Sequence, residues 1–125
     1  MSYLGATITQ NADAVAELFT PDGVIEAVFV PAGRAFPARM EGREEIREQL
    51  AAYYQRPADT ERQIDIPNSR YVVHSTVDPD VFIVEIDTAF TSPNGPTTMS
   101  LVQIFRLRDD KIALLRDYFT PDAVA

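Results

Sequence analysis

Residues 98–121 read TMSLVQIFRLRDDKIALLRDYFTP, two apolar-rich runs joined by a tight polar turn at Asp109 and Asp110. Such a pattern is that of an antiparallel hairpin, and it commits the chain to a sheet. The second run carries a lone acid, Asp117, among hydrophobic neighbours. Side chains alternate between the two faces of a strand. In the last run Ala113, Leu115, Asp117 and Phe119 therefore share a face, and Arg116 and Tyr118 take the other. In the preceding run Met99, Leu101, Gln103 and Phe105 oppose Ser100, Val102, Ile104 and Arg106. Each hairpin strand thus has one face that is apolar apart from a single polar group, Gln103 or Asp117. A buried polar group is costly without partners. Two such groups on neighbouring strands point to a lined cavity in which they meet each other and a ligand.

The rest of the chain supplies more strands and a helical cover. Asn11 is a good helix N-cap, and Ala14, Val15, Leu18 and Phe19 have the spacing of an apolar helix stripe. Pro21, Asp22 and Gly23 then turn the chain. Residues 24–30 (VIEAVFV) read as a strand, with residues 36–40 as its short hairpin partner and Pro37 favouring an edge. From Gly42 the period changes. Ile46, Leu50 and Tyr53 or Tyr54 repeat along an amphipathic helix that ends near Gln55, with Glu44 and Glu45 at its positive end. Residues 59–67 are polar and partly extended. Residues 70–77 and 81–91 are two further strands, rich in β-branched and aromatic residues. In the second of these, Val81, Ile83, Glu85 and Asp87 share one face and Phe82, Val84, Ile86 and Thr88 the other. Residues 1–10 fit a strand or a short helix equally. The order is helix, short hairpin, helix, four strands. It predicts an α+β fold, a cone-shaped, strongly curved mixed or antiparallel sheet wrapped over N-terminal helices.

Composition narrows the chemistry. A chain of 125 residues is expected to form one domain, here over 1–125. Its net charge of -8 argues against nucleic acid and anionic membranes as partners. There is no cysteine and only one histidine, His74, so thiolate nucleophiles, thiolate metal sites and multi-histidine zinc sites are excluded. The first residues show no signal-peptide pattern and no apolar run is long enough to span a bilayer, so a cytoplasmic location is the expectation. Phosphate-cradling glycine motifs and nucleophile elbows are absent.

The stretches DAVAELFTPDGVIE (13–26), EGREEIREQL (41–50) and LVQIFRLRDDKIALLRDYFTP (101–121) resemble the nuclear transport factor 2-like superfamily. Within it the closest resemblance is to the SnoaL-like, ketosteroid-isomerase-like branch. The ending Arg116-Asp117-Tyr118-Phe119 is most similar to limonene-epoxide-hydrolase-like and phenazine-biosynthesis A/B-like proteins. The resemblance implies a cofactor-independent homodimer with a hydrophobic pocket. The same fold carries isomerases, cyclases, dehydratases, epoxide hydrolases and non-enzymatic binders. Where ketosteroid isomerases have their base, this chain has Ala27. Where they have a second acid, it has Gln103. Asp117 matches the C-terminal acid of the epoxide hydrolases and the last-strand base of SnoaL-type cyclases. Asp87 matches the other epoxide-hydrolase acid, and Glu85 falls where their arginine stands, leaving Arg39, Arg43 or Arg70 to substitute. The first covering helix looks abbreviated.

These readings define the expected site. Asp117 is the acid/base group, with Asp87 or Glu85 approaching it as a second carboxylate that tunes its pKa. Gln103, Tyr54, His74, Leu101, Leu115 and Phe119 are the ligand-binding residues, and no metal or cofactor is expected. The function expected is acid/base chemistry on a small apolar metabolite. The alternative is a non-catalytic ligand-binding or dimeric accessory protein of the same fold, with Val102, Ile104 and Phe82 on its outer face.

Overall fold

The computed structural model describes residues 10–55 and 62–120. The expectations for residues 1–9 and for a shortened first helix lie outside the described residues. Asn11 starts the first described helix, α1 (Ala12–Glu17), and its Oδ1 accepts a hydrogen bond from the Ala14 N–H at 3.0 Å. This satisfies one of the donors that a helix start leaves free. Val15 and Ala16 are the buried side of the helix. Phe19, expected to extend that helical stripe, instead opens strand β1 (Phe19–Ala27) and is fully buried there. Residues 21–23, expected as a turn, lie within β1, where the pairing with the last strand slips between Phe19 and Val24. Gly23 allows the slip, because a Cβ there would stand 3.0 Å from the Ile112 carbonyl oxygen.

Strand β2 (Arg39–Glu41) returns antiparallel to β1, with Ile25 opposite Met40. Helix α2 (Arg43–Tyr54) follows and buries Ile46 and Leu50, one turn apart. Burying such aliphatic side chains contributes roughly 1.5–3 kcal/mol each. The Arg43 Nε donates to the Phe19 carbonyl at 3.1 Å, pinning the start of α2 to the start of β1. Beyond α2 come β3 (Gln63–Ile64), a 3-10 turn (Ile66–Asn68), β4 (Arg70–Ser75), β5 (Val81–Thr91), β6 (Thr97–Arg108) and β7 (Lys111–Tyr118).

The sheet runs β2-β1-β7-β6-β5-β3, with β4 also on β5. It is mixed, because β1 and β7 are parallel while the other pairs are antiparallel. The β6–β7 hairpin closes at Arg108 opposite Lys111 through Asp109 and Asp110, whose φ angles are 53° and 65°. Positive φ at both central residues is the two-residue turn whose twist matches a hairpin. Further along, Arg106 pairs with Leu114 but Leu107 with Ile112, so Ala113 is an extra residue. That bulge turns Ile112 into the core, where it is 6% exposed.

The expected strongly curved cone is not what forms. Among the described residues the sheet is open, ending at β2 on one side and at β3 and β4 on the other, and these edges do not pair with each other. Strong curvature comes from bulges repeated along several strands. Here the register shifts fall only within the β1–β7 and β6–β7 pairings, while β5 and β6 pair without interruption from Val81–Arg106 to Phe90–Thr97. The helices pack on each other and against β1, so they cover one end of one face. The main core sits beneath them, with Val15, Phe19, Ile25, Met40, Ile46 and Leu115 each at most 1% exposed. A smaller cluster of Ala27, Val30 and Phe119 lies beside it, and Phe36 and Leu101 pack against both.

Candidate functional site

Strand register decides which side chains meet. Gln103 is opposite Asp117 on β7 and opposite Val84 on β5, and Asp117 is also the parallel partner of Ala27 on β1. One row on the helix-covered face therefore reads Ala27, Asp117, Gln103, Val84. Its two polar members are 7% and 6% exposed, and its two apolar members 3% and 0%. The Gln103 Nε2 donates to Asp117 Oδ2 at 3.2 Å. Among the described residues Asp117 Oδ1 and Gln103 Oε1 have no hydrogen-bond partner. Ala27 on β1 is thus directly beside Asp117.

Hydrocarbon surrounds this pair. Leu115 precedes and Phe119 follows Asp117 on the same face, both buried. Leu101, two residues from Gln103, is half-buried between the two core clusters. Phe36 meets Phe119 edge-on at 5.4 Å and Tyr53 at 5.0 Å. Tyr54, beside Tyr53 on α2, packs against the main core. Its hydroxyl is pushed up to about 12, by burial first and by Tyr53 second. Burial likewise pushes the Asp117 carboxyl up to about 7, and the hydrogen bond from Gln103 offsets part of that rise. A buried carboxylate loses hydration that a single amide cannot replace. A carboxyl with a pKa near neutrality can both take and return a proton.

The structure separates the other expected site residues from Asp117. Glu85 is opposite Val102, and Asp87 is opposite Ser100, so both lie on the outer face of the sheet. Glu85 Oε1 is 2.6 Å from His74 Nε2. Asp87 accepts from Ser100 Oγ at 2.6 Å and from Arg70 Nε at 3.1 Å. Its carboxyl is held below the ordinary range, by Ser100 first and Arg70 second. The expected second carboxylate beside Asp117 is therefore absent from that row, and Val84 stands in its place. His74, on the exposed strand β4, is likewise away from it. None of the arginines considered as substitutes reaches Asp117, for Arg39 pairs with Glu41, Arg43 with the Phe19 carbonyl and Arg70 with Asp87. Phe82, expected on the outer face, stacks on the fully buried Phe105 at 4.8 Å.

Two features escaped the reading of the sequence. The place of Phe36 is one: it was expected to open a strand over 36–40, but β2 begins only at Arg39 and Phe36 lies in the preceding Pro- and Gly-containing loop. The other is a cleft of about 170 Å³ lined by Ile64, Ile66, Ser69, Arg70, Tyr71, Ile86, Asp87 and Thr88. It opens where the edge strand arches away from β5 over the 3-10 turn. The Ser69 hydroxyl spans that arch, accepting from the Ala89 N–H at 2.9 Å and donating to the Asp65 carbonyl at 2.8 Å. Among the described residues no cluster of three or more His, Cys, Asp or Glu could hold a metal, and no helix is long and apolar enough to cross a membrane.

Comparison with known proteins places this geometry. The family model of the SnoaL-like domain matches residues 2–115. An uncharacterized PhzA/B-like protein of Pseudomonas aeruginosa is 31% identical over 118 residues, covering 91% of this chain and 77% of its own. Among solved structures, a provisional isomerase from Bacillus subtilis aligns with a TM-score of 0.71 at 21% identity, over 96% of this chain and 81% of its own. An LEH-like epoxide hydrolase from M. tuberculosis aligns with a TM-score of 0.59 at 20% identity, over 94% and 77%. At those identities the two structures show a shared fold. The family match and the curated relative go further: the chain belongs to the SnoaL-like family of the nuclear transport factor 2-like superfamily.

Proposed function

We propose that this protein is a cofactor-independent acid/base enzyme of the SnoaL-like type, acting on a small and largely apolar metabolite. The observation that carries the reading is Asp117 itself. It is 7% exposed, has one free carboxylate oxygen among the described residues, and has no cationic partner there. Its pKa of about 7 suits proton transfer at neutral pH. In this reading Asp117 is the catalytic residue, abstracting a proton or activating water, and Gln103 orients the carboxylate. Leu101, Leu115 and Phe119 supply the apolar wall. Glu85, Asp87 and His74 take no part, because they occupy the other face.

A panel of cyclic ketones and epoxides tests the reading, with α-hydrogen exchange followed by proton NMR in D₂O and diol formation by chromatography. The base role predicts a rate that rises with pH through about 7 and falls by roughly 10²–10⁴-fold in Asp117→Asn. Equal turnover in the variant would remove Asp117 from the chemistry.

The protein is also proposed to work as a homodimer through the outer face of the sheet. Val72, Glu85, Val102 and Tyr118 form one row there by register. Val72 and Val102 are 51% and 36% exposed in the single chain.

A further inference from the structure

The outer face of the sheet carries its charges in an order that a second copy of the chain answers. By register one row there reads Val72, Glu85, Val102, Tyr118 on β4, β5, β6 and β7. The next row reads His74, Ile83, Ile104, Arg116 on the same strands and continues to Glu26 on β1. In these rows the middle strand, β6, presents only Val102 and Ile104. Arg106 follows one row on, exposed toward the hairpin turn. An acid, Glu85, lies on one side of that apolar middle and a cation, Arg116, on the other.

Arg116 has no ion pair among the described residues, and its Nε is buried without a hydrogen-bond partner. Glu26 stands beside it in the parallel register, yet the guanidinium leans over the Tyr118 ring, 5.6 Å from the centroid. The positive charge therefore sits in the row of Glu85. Glu26 also lacks an ion pair among the described residues, although Arg116 and Arg39 flank it, and Arg39 turns to Glu41 instead. Glu85 commits one carboxylate oxygen to His74. A second copy that covers this face removes the water around Arg116, and a guanidinium out of water requires an acceptor.

Two copies of one chain most often close about a two-fold axis, each offering the same surface. Packed sheets keep their strands within about 30° of each other. Two kinds of axis meet both conditions. An axis across the strands lays each strand on its own copy, so the side with Arg116 faces itself and the side with Glu85 faces itself. An axis parallel to β6 lays β7 on the partner's β5 and β1 on the partner's β4. That arrangement sets cation against acid twice, and like charges disfavour the other.

We infer that two copies pack outer face to outer face about a two-fold axis parallel to β6, each Arg116 bonded to Glu85 of the partner subunit. Val102 and Ile104 meet their own copies at the centre, and Arg106 lies at the edge. By the same symmetry Glu26 faces His74 of the partner subunit. The inference rests on the outer-face homodimer proposed above and adds the pair that orients it.

The test is sedimentation velocity on the full chain with reversed charges. The unaltered chain is expected to dimerise. Arg116→Glu and Glu85→Arg are each expected to weaken the dimer by roughly a hundredfold or more, because each variant homodimer holds two like-charge contacts. An equal mixture of the two variants is expected to form a heterodimer within about tenfold of the unaltered affinity, because both contacts then join opposite charges. The chain carrying both reversals is expected to dimerise again by itself. Either single reversal leaving the dimer as tight as before overturns the inference, as does failure of both the mixture and the doubly reversed chain to recover it. If Val102→Glu parts the copies and the charge reversals do not, only the two-fold arrangement falls. A monomeric unaltered chain ends the homodimer reading and this inference together. Neither result bears on Asp117, which lies on the other face.

Discussion

Gln103 donates its amide hydrogen to Asp117 at 3.2 Å across the β6–β7 ladder, inside a region where both residues are at least 93% buried. The amide steadies the carboxylate but does not replace the water it has lost. The carboxyl therefore rises to about 7 even with this partner.

Stability should decline with pH because of Asp117. Its folded-state pKa lies above the ordinary value of 3.8 that the unfolded chain shows. The folded chain holds the extra proton between about pH 4 and pH 7, so stability falls as pH rises through that window. At about 1.4 kcal/mol per pH unit the full cost is up to roughly 4 kcal/mol, reached above about pH 8. Asp117→Asn should match the unaltered protein at pH 4 and exceed it at pH 8 in urea melts. Parallel stability curves would show that the carboxylate is not strained by burial.

The Gln103 amide lowers the pKa of Asp117 by favouring its ionised form. In Gln103→Leu the carboxyl should titrate at higher pH than in the unaltered protein, with the apolar packing kept. A ¹³C NMR titration of the Asp117 carboxyl reads this directly. A midpoint that stays in place or moves down would mean that the hydrogen bond is not made in solution.

Ser69 carries the ladder across the arch in the edge strand. Ser69→Ala would leave the Ala89 N–H without its 2.9 Å acceptor. The expected loss is about 1–3 kcal/mol, with faster amide exchange at Ala89. Unchanged exchange there would show that water takes over from the hydroxyl.

The hairpin turn stores a small penalty. Asp110 sits at φ 65°, a region that glycine enters without the cost an L side chain incurs. Asp110→Gly should stabilise the protein modestly in equilibrium denaturation, because relief of the left-handed cost, roughly 1–2 kcal/mol, exceeds the unfolded-chain entropy that glycine adds, about 0.4–1 kcal/mol. A destabilised variant would mean that Asp110 makes a compensating contact.

If the outer face joins two copies, a charge at its centre should part them. Val102→Glu places a carboxylate beside Glu85, its register partner on β5. Light scattering after size-exclusion chromatography should show the unaltered chain as a dimer and the variant as a monomer. A monomeric unaltered chain would end the proposal.

Much of this architecture was legible in the order of residues. The alternation along residues 98–119 predicted two strands joined at Asp109 and Asp110, with Gln103 and Asp117 each alone on an apolar face. The structure has β6 and β7 at those places, with both side chains buried. Asn11 was readable as a cap because capping is local, and Ile46 and Leu50 as a helix stripe because helical period is local. The turn expected at residues 21–23 failed for the opposite reason. Pairing with β7 and the close approach of Gly23 to Ile112 hold that segment in a strand, and neither contact is encoded nearby in the chain.

By itself, then, the sequence determined which side chains share a face within each strand, because that depends only on a period of two. Only the tertiary structure decided which faces coincide between strands, because that depends on register, and a shift of one residue exchanges the faces. Glu85 and Asp87 alternate correctly along β5, yet Val84 is the residue opposite Gln103, so the two acids fall on the far side of the sheet from Asp117. Curvature was decided at the same level. Few bulges interrupt the ladders, so the sheet stays open, and the hairpin's lone acid meets an amide rather than a second carboxylate.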